Sequence, residues 1–225
     1  MSNIRYNINL HLQVNLMSMN MNFDWHWSKS STVLLLMILA VPFAQQLHIN
    51  PDWVSYVENT QTLFLLFCFA FTLLSTLCGG LKGKEKAFWF WASLWWLVLL
   101  GRDQNWGRQT FPGYSHTIYH GIAAVLILGL VLMLLWPRLR AGIRYYYHQP
   151  FPVWNFLLAA AGFLLADAVE RGRWIAQFIL FNPVYDDMLE ELYECPFMLA
   201  LFAVSAVLQW RTILQMKRSL KQVKV

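Results

Sequence analysis

The sequence predicts an all-α fold, a polytopic transmembrane helical bundle of about six spans with both termini in the cytoplasm. Three observations carry that prediction. The 225 residues are 58% hydrophobic and only 13% charged, whereas a soluble domain is nearer a quarter charged. Apolar runs of nearly membrane length follow one another with short polar gaps. Lys and Arg then fall almost entirely in alternate gaps, the distribution of a threaded chain.

Residues 1–30 form a polar leader. In it Ile4, Tyr6, Ile8, Leu10, Leu12, Val14 and Leu16 alternate with polar residues, the period of a half-buried strand. Such a strand has no evident partner beside a helical bundle. Disorder, an interfacial segment or an over-extended start all fit, since Met17, Met19 and Met21 could each initiate. No small-residue cleavage site follows the first apolar run, so no cleavable signal is expected.

Residues 31–210 form the transmembrane domain. The predicted spans are Ser31–Leu47, Gln61–Gly79, Ala87–Trp106, Ile118–Trp136, Phe151–Glu170 and Leu192–Trp210. A span needs about 20 residues to cross roughly 30 Å of hydrocarbon. The second, fourth and sixth reach that length without a charge, and the first is short and holds Pro42. Residues 211–225 make a basic cytoplasmic tail. "RYYYHQP", before the fifth span, reads as an aromatic and basic interfacial anchor.

With six alternating spans, Arg5, Lys29, Lys82, Lys84, Lys86, Arg138, Arg140, Arg144 and the basic residues of the tail share one side. The other side keeps only Arg102, Arg108, Arg171 and Arg173, yet holds all the acids except Asp24 and Glu85. Cytoplasmic retention of Lys and Arg places both termini inside, and the expected location is the cell inner membrane. The net charge of +5 is then a matter of topology. The lipid bilayer, through its anionic headgroups, is the expected partner, and nucleic acid is not.

The stretch "FWFWASLWWLVLLGRDQNWGR" gives the functional lead. Ala87–Leu100 is 14 uncharged residues, about 21 Å of helix. The span must therefore continue and carry Arg102 and Asp103 into the edge of the bilayer, where charges pair, snorkel or turn inward. The fifth span repeats this in "LLADAVERGRW" with Asp167 and Glu170, and Asp187, Glu191 and Glu194 stripe the start of the sixth. The outer cations are all Arg, the side chain suited to holding carboxylates or phosphates bidentately. One outer polar cluster is expected, made of Arg102, Asp103, Arg108, Asp167, Glu170, Arg171, Arg173 and Glu194. Glu190 and Glu191 read instead as acids favouring a helix start.

Two uses of the cluster compete. It is either a set of ion pairs locking helix ends together or a ligand or catalytic site. In a membrane-embedded enzyme acting on a lipid or lipid-linked phosphate, the Arg side chains would hold the anion. Asp167 or Glu170 would then serve as general acid or base. A small proton-coupled transporter and an assembly protein are further alternatives, the partner of the latter unknown. His116 and His120 lie one turn apart at the entrance to the fourth span. Interfacial hydrogen bonding or ligand contact suits them, and no metal is expected because no HExxH-like context surrounds them. Cys68, Cys78 and Cys195 form no CxxC or zinc pattern and read as small buried residues. No phosphate loop or nucleophile elbow occurs, so no cofactor is named.

Overall fold

A computed structural model of the chain describes residues 23–47, 53–104, 106 and 116–222, with side chains up to 218 and that of His116 excluded. The alternating segment 4–16 lies outside the described residues. The fold is all-helical. Its helices are α1 (Lys29–Ala40), α2 (Val54–Cys78), α3 (Gly83–Asp103), α4 (His116–Met133), α5 (Pro137–Tyr147), α6 (Val153–Glu170) and α7 (Asp186–Gln222).

Local chemistry sets the boundaries. Ser28 starts α1 with a reciprocal capping box, its hydroxyl accepting from the Ser31 N–H at 3.1 Å. Pro42, which has no N–H, ends the α-helix, and the chain continues as a 3-10 helix over Val41–Leu47. Buried Gln45 ties that turn to the segment after α6. Its amide donates to the Ile179 carbonyl at 2.7 Å, and its oxygen accepts from the N–H groups of Phe181 and Asn182. The bend between α4 and α5 is 75° and lies at the Pro137 that opens α5.

Four segments are long and apolar enough to cross a membrane: Lys29–Leu47, Val54–Cys78, Val153–Glu170 and Pro183–Arg218. A fifth is added if the bent α4–α5 pair is one broken span. Against six from the sequence, α3 is the one that falls short. Trp89, Trp91, Trp95 and Trp96 carry indole N–H groups that lower its apolarity, and Arg102 and Asp103 end it. Large apolar side chains cover the outside, Val125 and Leu63 about two-thirds exposed or more, as expected of a surface solvated by lipid rather than water.

Three patches of core hold the bundle. Leu34, Ile38, Leu158, Leu189 and Tyr193 join α1, α6 and α7. Leu65, Cys68, Trp96 and Met198 join α2, α3 and α7. Leu81, Trp89, Tyr146 and Ile213 close the end where α2 turns into α3. Gly162 lets α6 approach α7, since a Cβ there would lie 3.0 Å from the Phe197 backbone nitrogen.

The helix ends sort into two groups. The acid-rich end collects the start of α2, the ends of α3 and α6, and the start of α7. The opposite, basic end collects the starts of α1, α3 and α6, the helix α5 and the C-terminal part of α7. There the chain before α1 adds a feature without sequence warning, a two-residue parallel pairing of Phe23–Asp24 with Phe151–Pro152. Arg211 fastens it, donating to Asp24 Oδ2 at 2.9 Å and to the Pro150 carbonyl at 3.0 Å. The guanidinium beside Asp24, helped by the His26 N–H, holds that carboxyl below the usual range.

Candidate functional site: an acidic cavity at the helix ends

The last turn of α3 presents Arg102 and Asp103 to two different neighbours. Arg102 Nη2 lies 3.7 Å from Glu194 Oε1 on α7. Asp103 Oδ2 accepts from Thr62 Oγ1 of α2 at 2.6 Å and from Gln104 Nε2 at 3.2 Å, which fastens the carboxylate in place. Trp106 lays its ring on Gly101, where a Cβ would sit 2.8 Å away, and does so from a left-handed backbone with φ 60°.

At the end of α6, Asp167 is clasped locally. Arg171 Nε reaches Oδ1 at 2.8 Å and Arg173 Nη2 reaches Oδ2 at 2.6 Å. Glu170, one turn beyond Asp167, points elsewhere. It lines a cavity of about 290 Å³ together with Arg102, Asp103 and Glu194 and with three further acids, Glu58, Glu190 and Glu191. Apolar walls come from Leu65, Leu99, Phe197 and Met198. An adjoining space of about 500 Å³ shares Arg102, Glu170 and Glu194 and adds Asp167 and Arg171.

Of the residues singled out in the sequence, the structure thus brings Arg102, Asp103, Glu170 and Glu194 to one cavity. Asp167 and Arg171 stand at the second space, and Arg173 reaches the group only through Asp167. His120 is exposed on α4 and lines neither cavity. Arg108 and the His116 side chain lie outside the described residues. Glu190 and Glu191, read from the sequence as acids at a helix start, sit in the second turn of α7, which begins at Asp186. They are part of the cavity wall rather than a first-turn dipole pair. Glu58 was outside the predicted second span, but α2 begins at Val54 and carries it in.

The cavity carries six carboxyl groups and one guanidinium. Among the described residues no ion pair or hydrogen bond engages the carboxyls of Glu58, Glu170, Glu190 or Glu191. Nearby, buried Gln61 donates to the Glu191 carbonyl of α7 at 2.7 Å. Its own Oε1 has no partner among the described residues. The wall is therefore rich in acceptors and poor in donors, and its carboxyl-bearing residues are half-buried or, at Glu170, exposed. Among the described residues no three His, Cys, Asp or Glu side chains group closely enough to hold one metal ion. Comparisons with protein-family models, curated proteins and solved structures found no match to this chain.

Proposed function

We propose that the chain is a multi-pass inner-membrane protein of six spans with both termini cytoplasmic, and that the acidic cavity at its extracytoplasmic end receives an organic cation. The sixth crossing is α3, whose 21 residues measure about 31 Å. Orientation follows from the alternation of Lys and Arg, which leaves the acidic end outside.

The observation that carries the functional reading is the charge balance of the cavity, six carboxyl groups to one guanidinium around about 290 Å³. Like charges around a shared void favour a counter-cation. An amine or ammonium group brings N–H donors, which suits carboxylate oxygens, and a carbon skeleton, which suits Leu65, Leu99 and Met198. In this reading Glu170, Glu190 and Glu191 hold the cation and Glu58 closes the wall. Asp103 and Arg102 position α3 through Thr62 and Glu194. Asp167, with both oxygens engaged by guanidinium groups, is architectural.

A second reading is favoured by the adjoining space, where Arg102 and Arg171 stand together. There a lipid or lipid-linked phosphate would be held by guanidinium, with Glu170 as the general acid or base of a membrane enzyme. It ranks below the first because Arg171 and Arg173 are already committed to Asp167. A proton-coupled carrier would use the same carboxylates as a relay.

A thermal-stability screen of the purified protein separates the readings. Putrescine and spermidine should raise the melting temperature of the wild type and leave Glu190→Gln/Glu191→Gln unmoved. Stabilisation by glycerol 3-phosphate alone would transfer the function to the second space. For topology, single cysteines placed at Lys84 and at Asp187 in a background free of Cys68, Cys78 and Cys195 should label from opposite sides.

A further inference from the structure

At the basic end, α5 is an amphipathic helix bent 75° from α4. Leu139, Gly142 and Tyr146 form its buried stripe, seated on the start of α3. At Gly142 the fit is close, a Cβ there falling 2.6 Å from the Lys84 carbonyl. Arg140 and Arg144 are both exposed. At four-residue spacing they share the helix face turned away from that stripe. Lys84 adds a third cation at the rim, with its ammonium 4.4 Å from the centre of the Tyr145 ring.

What lies beside these cations decides the partner. Immediately before α5, Leu135 is 71% and Trp136 41% exposed, and Tyr147 at its other end is 45% exposed. Apolar and aromatic side chains flanking a basic face are the composition of a helix resting at the headgroup level. If α4 crosses the bilayer, its 18 residues span about 27 Å, and the 75° bend lays α5 near the plane of the membrane. Among the described residues no acid at this end pairs with Arg140 or Arg144. Asp24 is bound to Arg211, and Glu85, which lies toward Tyr145, makes no ion pair among the described residues.

We infer that the outward face of α5, through Arg140 and Arg144 with Lys84 at its rim, is a binding site for the phosphate headgroup of an anionic phospholipid, which seats its chains beside Leu135 and Trp136. The site is independent of the acidic cavity, and its test does not depend on which side of the membrane it faces.

The test uses the full chain in nanodiscs of phosphatidylcholine with spin-labelled phosphatidylglycerol or spin-labelled phosphatidylcholine as probes. The motionally restricted population should favour phosphatidylglycerol by about fivefold, the scale of one basic contact at a membrane surface. Arg140→Gln/Arg144→Gln should lose most of that preference, whereas Lys217→Gln/Arg218→Gln in the tail should keep it. Equal preference for the two probes in the wild type would overturn the inference. So would an α5 variant that remains folded by gel filtration and retains the wild-type preference. If glycerol 3-phosphate displaces the spin-labelled lipid at similar concentration, the site is for soluble phosphate and the lipid assignment fails. Should the double variant misfold, Arg144→Gln alone serves instead and should lower the preference part-way; an unchanged preference would overturn the inference.

Discussion

The two ends of this bundle use similar residue types to opposite purposes. At the basic end most polar groups are closed upon one another, the Oε1 of buried Gln209 being one that has no partner among the described residues. Ser31 donates to Asn155 Oδ1 at 2.7 Å, and the Trp89 indole donates to Tyr146 Oη at 2.6 Å, which in turn donates to Thr212. Gln209 donates to the Thr72 carbonyl and to Thr76, and Arg211 bridges Asp24 and Pro150. The acidic end holds three of the four ion pairs found among the described residues, Arg102–Glu194, Arg171–Asp167 and Arg173–Asp167, yet Glu58, Glu170, Glu190 and Glu191, which face the cavity, have no partner among the described residues. A polar group closed within the fold serves architecture. One left open at a cavity is free to meet a ligand, and the proposed cation site rests on that contrast.

Mutations should treat the two ends differently. The largest loss of stability is expected from Tyr146→Phe, which strips the acceptor from the fully buried Trp89 indole and the donor from Thr212. About 1–3 kcal/mol should go, read as a fall in the detergent melting temperature. Asn155→Leu keeps the volume but leaves buried Ser31 with only its Ser28 contact, and should cost about 1 kcal/mol. At the acidic end the sign reverses. Glu191→Gln or Glu190→Gln removes like-charge repulsion and should leave the melting temperature unchanged or raise it. A fall matching that of Tyr146→Phe would make the acids architectural and dissolve the contrast.

The smallest effect concerns Asp24, whose ion pair with Arg211 is partly exposed, so that Asp24→Asn should cost about 1 kcal/mol or less. Its folded-state acidity is raised, that is, its pKa is lowered by the Arg211 hydrogen bond and then by the His26 N–H. The pair therefore contributes fully above the ordinary value of 3.8 and is lost as pH falls through the lower folded value. Wild type and Asp24→Asn should differ in stability at neutral pH and converge in acid.

Much of this was legible in the residues, for reasons particular to each. Arg102 and Asp103 stood out because Ala87–Leu100 is only 14 uncharged residues, short of a span, and the structure brings both to the cavity. Asp167, Glu170 and Glu194 followed from the same depth argument. Glu58 escaped because hydropathy marks where apolar residues begin, and α2 begins a full turn before Glu58 with residues of mixed polarity. Glu190 and Glu191 escaped because helix-start acids have a sufficient local explanation, and only the position of Asp186 as the first helical residue moves them a turn inward. The clasp of Asp167 by Arg171 and Arg173 depends on the turn that ends α6, which spacing alone does not specify. α5 is too short and too charged to register as a span. The pairing of Phe23–Asp24 with Phe151–Pro152 is two residues long, too short for any periodic signal.

A cation site is proposed on the carboxyls that have no partner among the described residues, and isothermal titration of the purified protein with putrescine, in wild type and in Glu190→Gln/Glu191→Gln, probes it. One saturable site is expected in the wild type and at least about tenfold weaker binding in the variant, since losing a charge-assisted contact weakens binding on the order of 1.4 kcal/mol or more. No saturable binding by the wild type, or equal binding by both proteins, would contradict it.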